Sequence, residues 1–278
     1  MVGLLAGRHL VINGKQLRGT TPHGRQAPVQ LVSVWATEQR LCLAHTPVAA
    51  KRNEVAAIPL VLDLVDVTGS VVSLDAMGCQ RAVAASLVER GADYVLAHQQ
   101  NQGELHAQVV VHFVPLLVQP PAHQHLDKGH GERRRVWCSQ NLGLVDAGAG
   151  WAGLRTLVCV QTTRWLQGRA EQATRSFRSS LGQQTSAAAL AGYVCRHWGI
   201  ENHQHWHLDV TFAEDACQCR RDHAPRNRST LRKLALILIQ RCPLKMSLKR
   251  KRKKAARDDA FLHQLLAQLP LPENLPTS

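Results

Sequence analysis

The sequence predicts an α/β domain whose sheet opens with an antiparallel pair, on three observations. Short β-rich runs alternate with helical spacings between His9 and Ala97. The chain has 278 residues, 45% of them hydrophobic, enough to bury a sizeable core. Asp75 stands where a buried strand runs out, the edge at which α/β sheets place their chemistry.

The elements follow in order. His9 to Asn13 is an apolar run that meets Gly14, a strand entering a turn. Val29 to Trp35 and Leu41 to Val48 are β-rich and flank the polar Thr37-Glu38-Gln39-Arg40, which predicts a hairpin. Asn53 to Val67 has helical spacing, with Ile58, Val61, Leu62 and Val65 on one face and Pro59 expected in the first turn. Ser70 to Leu74 is a strand. Cys79 to Arg90 is a helix with Val83, Leu87 and Val88 inward, and Asp93 to Ala97 is a strand. Pro115 to Gly131 reads as a loop, and Arg133 to Trp137 and Leu154 to Thr163 as strands. Ser186 to His197 and Arg228 to Arg241 are helices, the second with Leu231, Leu234 and Leu238 inward.

Composition narrows the function classes. The 34 Lys and Arg against 20 Asp and Glu give a formal charge of +14, which favours a polyanionic partner, with solubility as the plainer use. Cys42, Cys79, Cys138, Cys159 and Cys195 stand singly in apolar surroundings, which suits reduced thiols and the cytoplasm. Met1 to Val11 is too short for a signal peptide. Val109 to Val118 and Ala56 to Val67 carry His112, Asp63 and Asp66 and are too short to span a bilayer, so no membrane role is expected.

Several groups of residues carry chemistry. Asp75 precedes Ala76-Met77-Gly78-Cys79-Gln80; the alternative is a helix N-cap. Glu201 follows His197-Trp198-Gly199-Ile200 and precedes Asn202, His205-Trp206 and Asp209; the alternative is a buried ion pair of Arg196 with Glu201 or Asp209. His203, His205 and His207 alternate, as on one face of a strand, near Cys217, Cys219 and His223, but their spacing fits no standard zinc pattern. Lys249 to Lys254 reads as a solvated tail or, slightly favoured, a phosphate-binding arm.

Three motifs carry a resemblance. They are His9-Leu10-Val11-Ile12-Asn13-Gly14-Lys15-Gln16-Leu17-Arg18-Gly19, Leu74-Asp75-Ala76-Met77-Gly78-Cys79-Gln80, and His197 to Asn202 with His205-Trp206 and Leu208-Asp209-Val210. Asn53-Glu54, Asp93 to Ala97, Asn101-Gln102, Glu214-Asp215 and Leu231 to Leu236 support them in the same order. From Leu10 to Arg241 the chain resembles insertion-sequence DDE transposases of the H-repeat-associated group. The resemblance implies a ribonuclease H-like mixed sheet with flanking helices and a β-rich insertion before the last catalytic helix. The expected divisions are 1–98 and 182–243 for the core, 99–181 for the insertion and 244–278 for a basic, flexible tail.

The resemblance also implies catalytic metal ligands at Asn13, Asp75 and Glu201, holding Mg²⁺ or Mn²⁺. Lys15, Arg18, Arg196, Asn202, His205 and Asp209 would position DNA or support the ligands. The implied partners are double-stranded DNA, at element ends and target, and a second copy in a homodimeric synaptic complex. The implied place is the bacterial cytoplasm, at the nucleoid. Asn13 replaces the family's first catalytic Asp, which implies weak or absent strand transfer, with a non-catalytic DNA-binding remnant as the second reading. Only Met1 to Ile12 precede Asn13, so an N-terminally truncated copy is expected.

Overall fold

Side-chain alternation along the strands decides how the sheet is layered. The computed structural model describes residues 5–21, 28–48, 54–98, 103–129, 131–143 and 150–269. They fall into two compact units, Met1–Lys15 with Gln30–Ile200 and Gln16–Val29 with Glu201–Ser278. The sheet is built from β1 (His9–Gln16), β2 (Gln30–Ala36), β3 (Leu41–Val48), β4 (Val71–Leu74), β5 (Asp93–His98), β6 (His123–Asp127), β7 (Glu132–Ser139), β8 (Thr156–Leu166) and β9 (Arg169–Ser179). Its order is β3-β2-β1-β4-β5-β9-β8-β7-β6. β1, β4 and β5 run parallel, whereas β2–β3 and every pair from β5 to β6 are antiparallel. This is the mixed α/β architecture expected from the sequence.

Four helices complete the first unit: α1 (Glu54–Leu62), α2 (Arg81–Glu89), α3 (Gly103–Leu117) and α4 (Ala187–His197). Leu10, Ile12, Val72, Leu74, Tyr94 and Leu96 share one side, closed over by Ile58, Val61 and Leu62 of α1 and Val83 and Leu87 of α2. Cross-strand pairing carries that side through Arg178 to Leu157, where Val109 and Phe113 of α3 cover Leu157, Cys159 and Trp137. The intervening Val71, Val95, Val136, Val158 and Val160 face the opposite side, onto Leu190, Ala191 and Val194 of α4. Burying each such side chain contributes about 1.5–3 kcal/mol. Three layers result.

The second unit holds a 3-10 turn, Arg18–Thr20, and a π-helical segment, Glu201–His205, that runs into α5 (Trp206–Val210). α6 (Ala224–Arg241), α7 (Leu248–Ala255) and α8 (Asp259–Leu266) follow. Leu208, Leu236, Ile239, Cys242, Phe261 and Leu265 form its core.

Several expectations need correction. β1 continues through Gly14 to Gln16 instead of turning there. Pro59 lies inside α1, not in its first turn. Val88 is exposed, as are Leu231 and Leu234, whose place in the core is taken by Leu236 and Ile239. The expected loop at Pro115 to Gly131 instead holds the last turn of α3 and strand β6, and the insertion contains all of α3 among its strands. The basic segment after Pro243 is not a flexible tail through residue 266: Ser247 caps α7 by accepting from Arg250, and Asp258 caps α8 by accepting from Phe261. Asn53, Gln99 to Gln102, His130 and residues 270–278 lie outside the described residues. Among the described residues, no helix is long and apolar enough to cross a membrane.

Candidate functional site

Parallel pairing brings two of the expected ligands together. Ile12 on β1 is opposite Leu74, the last residue of β4, so Asn13 on β1 and Asp75 just past the end of β4 each follow the last pair by one residue. Both are half-buried and line one cleft with Gly14, Glu54, Met77 and Gly78. Asp75 Oδ1 accepts from the backbone amides of Met77 (3.1 Å) and Gly78 (3.2 Å), which fixes the turn after β4. The N-cap of α2 is Gln80, so Asp75 does not serve as the helix cap offered as its alternative role. Among the described residues, Asp75 Oδ2 accepts no hydrogen bond. Gly78 has room for no side chain: a Cβ there would meet Leu74 Cδ2 at 2.5 Å.

Sequence reasoning missed a second carboxylate beside this pair. Glu54, buried at the start of α1, places Oε2 2.8 Å from where a Cβ on Gly14 would stand. Glycine at 14 thus lets a carboxylate approach β1 beside Asn13. Asn53-Glu54 stood out only as supporting sequence; its contact with β1 depends on how α1 returns over the sheet.

A buried polar chain lies behind the cleft. Ser73 Oγ is 2.9 Å from His9 Nε2 and 2.9 Å from His197 Nδ1. Burial, then the charges of Arg196 and His197, hold the His9 pKa down to about 3; burial lowers that of His197 to about 4 against the opposing pull of Asp75. Both rings are therefore neutral in the folded protein at pH 7. Their pKa values lie below the unfolded value of about 6.5, so below that pH the unfolded state binds more protons. Stability is complete above about pH 6.5 and falls as pH drops toward 4, by on the order of 1 kcal/mol per histidine per pH unit. Urea midpoints at pH 7.5 and 5 are expected to show this loss, and the His197→Asn variant a shallower one. Equal slopes would remove His197 as a source.

The second unit carries most of the remaining expected residues, and the first unit holds Lys15 and Arg196. Glu201 is exposed and opens the π-helical segment, a wide turn often found at functional sites. Asn202 is exposed, and His205 and Asp209 are half-buried. Ile200, the residue before Glu201, belongs to the first unit, where it is buried with Val11 and Trp35. Arg18 is exposed and lies 3.5 Å from Asp215. Arg196, in the first unit, is exposed with its guanidinium 5.2 Å from the Tyr193 ring centre. Lys15 is buried. His203 and His205 lie in the π segment and His207 in α5, so they do not share a strand face. Among the described residues, no three His, Cys, Asp or Glu side chains are gathered to hold a metal.

The chain belongs to the transposase DDE domain family, whose model, described as “Transposase DDE domain”, matches residues 6–238. It is 31% identical over 270 residues to “H repeat-associated putative transposase YhhI” of Escherichia coli (strain K12), covering 93% of this chain and 71% of that protein. It is 32% identical over 271 residues to “Putative transposase YncI” of Escherichia coli O157:H7, covering 94% and 69%. A cryo-EM structure of a piggyBac transposase synaptic complex with hairpin DNA aligns with 98% of this chain and 59% of its own, at 12% identity and a TM-score of 0.41.

Proposed function

We propose that the chain is the catalytic scaffold of an insertion-sequence transposase, built for divalent-metal-dependent DNA cleavage and strand transfer and weakened by Asn13. The meeting of Asn13 and Asp75 at one cleft carries this reading. The donor set fits the ion: carboxylate and amide oxygens are hard ligands suited to Mg²⁺ or Mn²⁺. Such ions, when bound, supply the Lewis acidity for in-line displacement at phosphorus. Asp75 would give its uncommitted Oδ2 while Oδ1 keeps the turn, so its orientation is set in advance. Asn13 offers a neutral carbonyl oxygen in place of a charge. Glu201 is proposed as the third ligand on the strength of the family motif.

Arg18, Arg196 and Asn202 are proposed to position DNA, and His205 and Asp209 to support the ligands. Lys15, being buried on β1, is proposed to support the ligands rather than to touch DNA. The partners are duplex DNA at element ends and target and a second copy of the chain, in the cytoplasm at the nucleoid. Asn13 itself favours the second reading, a DNA-binding remnant without chemistry. Both readings require duplex binding. With six or more phosphate contacts, affinity should fall about a thousandfold between roughly 50 and 200 mM salt. An absence of binding at low salt, measured by fluorescence anisotropy on a labelled duplex, would end both.

A further inference from the structure

We infer that α7 is a DNA-backbone docking helix, a folded cationic face held outward by one inward-turned lysine. The inference rests on the duplex-binding reading above. Six consecutive basic residues, Lys249 to Lys254, would repel one another in a loose tail. Here they are divided by direction. Lys251 is buried, and its ammonium donates to the backbone carbonyls of Ile239 (3.1 Å) and Cys242 (2.6 Å) at the end of α6. Carbonyls at a helix C-terminus lack intrahelical partners and carry partial negative charge, so they hold a cation well. Arg252 lies 5.8 Å from the Phe212 ring centre, and Lys254 pairs with Asp258. These three cations serve the fold.

The others do not. Lys249, Arg250 and Lys253 are spaced i, i+1 and i+4, which puts them on one face, away from Lys251. All three are exposed, as is Arg257 in the turn that follows. Among the described residues, none of these four makes an ion pair or hydrogen bond through its side chain. Four unneutralised cations in so short a span match the closely spaced charges of a duplex backbone, which rewards counterion release without regard to sequence. A helix fixed by a buried lysine presents them with less ordering cost than a free tail.

The test compares the full chain with a variant carrying Lys249, Arg250, Lys253 and Arg257 each changed to Gln. Binding to two labelled duplexes of unrelated sequence is titrated against salt. The expected result is a salt slope shallower by about three to four, since each phosphate left unneutralised takes roughly 0.9 from it, and the change should be equal on both duplexes. Unchanged slope and affinity in the variant, with the natural chain binding normally, would overturn the inference. Failure of the natural chain to bind either duplex would instead show at the first titration and would remove the underlying reading with it. A second comparison tests the anchor: Lys251→Met should lower the melting temperature and weaken DNA binding, whereas Lys253→Met should leave melting unchanged. Identical melting of the two would contradict the anchored helix.

Discussion

Asn13→Asp should raise Mg²⁺-dependent cleavage of DNA carrying the element's ends by at least about a hundredfold over the natural chain, equal to about 2.7 kcal/mol of barrier. The reason is local. Residue 13, on β1, and Asp75, just past the end of the adjacent parallel strand β4, line one cleft. A carboxylate there joins those of Asp75 and Glu54 in the cleft, and a divalent cation is the partner that makes such a gathering of like charges favourable. The same substitution therefore has a signature independent of turnover. Without divalent metal, the like charges should lower the variant's melting temperature below that of the natural chain. Mn²⁺ or Mg²⁺ should restore it and stabilise the variant more than the natural protein. Intact-mass spectra should first establish that Asn13, which precedes Gly14, has not deamidated. A silent variant that still binds DNA would support the remnant reading, and cleavage by the natural chain at the variant's rate would end the argument from charge.

How much of this was legible beforehand depends on where each residue's partner lies. β1 to β5 could be read because each is a short apolar run bounded by polar or glycine-rich segments, and because α1 and α2 bury single apolar faces. β9 could not, because residues 169–175 are exposed on both faces and show no alternation. α3 was hidden by Pro115 and by exposed Val111, Val114 and Val118, which blur its inward face of Val109 and Phe113. The inward face of α6 was read only in part: Leu238 is buried, but Leu231 and Leu234, which carry the same helical spacing, are exposed. The family resemblance singled out Asn13 and Asp75, and the parallel pairing of β1 with β4 brings them to one cleft. The Glu54 approach to Gly14 and the His9–Ser73–His197 chain were not legible, because their partners are separated by tens of residues and meet only through the fold. The direction of Lys251 was hidden for another reason: six basic residues in a row give no periodicity from which to choose the inward one.

Gly19→Ala should be the most damaging single-methyl substitution in the second unit, costing about 3 kcal/mol and on the order of 10 °C in melting temperature. The glycine is not needed for a left-handed backbone, since its φ is not among the positive ones. It is needed because two stretches of backbone meet there. A Cβ on Gly19 would lie 2.4 Å from the Cys217 carbonyl oxygen and 2.7 Å from that of Asp215. Side chains can rotate away from such an intrusion, but these backbone atoms are held on both sides. Thr20 Oγ1 donates to the Leu17 carbonyl at 2.6 Å and accepts from the Val29 amide at 2.8 Å, and Arg220 donates to the Gly19 carbonyl at 3.3 Å. The clash must therefore be relieved by separating the 3-10 turn from the 215–217 segment, which also pulls Arg18 from Asp215. Gly143→Ala is the control. The nearest atom to its added methyl is Asn141 Oδ1 at 3.7 Å, and the change should stay within about 0.5 kcal/mol. Matching urea midpoints for the two variants would mean that the Leu17-Arg18-Gly19 motif keeps its glycine for a reason other than packing, such as close approach of a DNA strand.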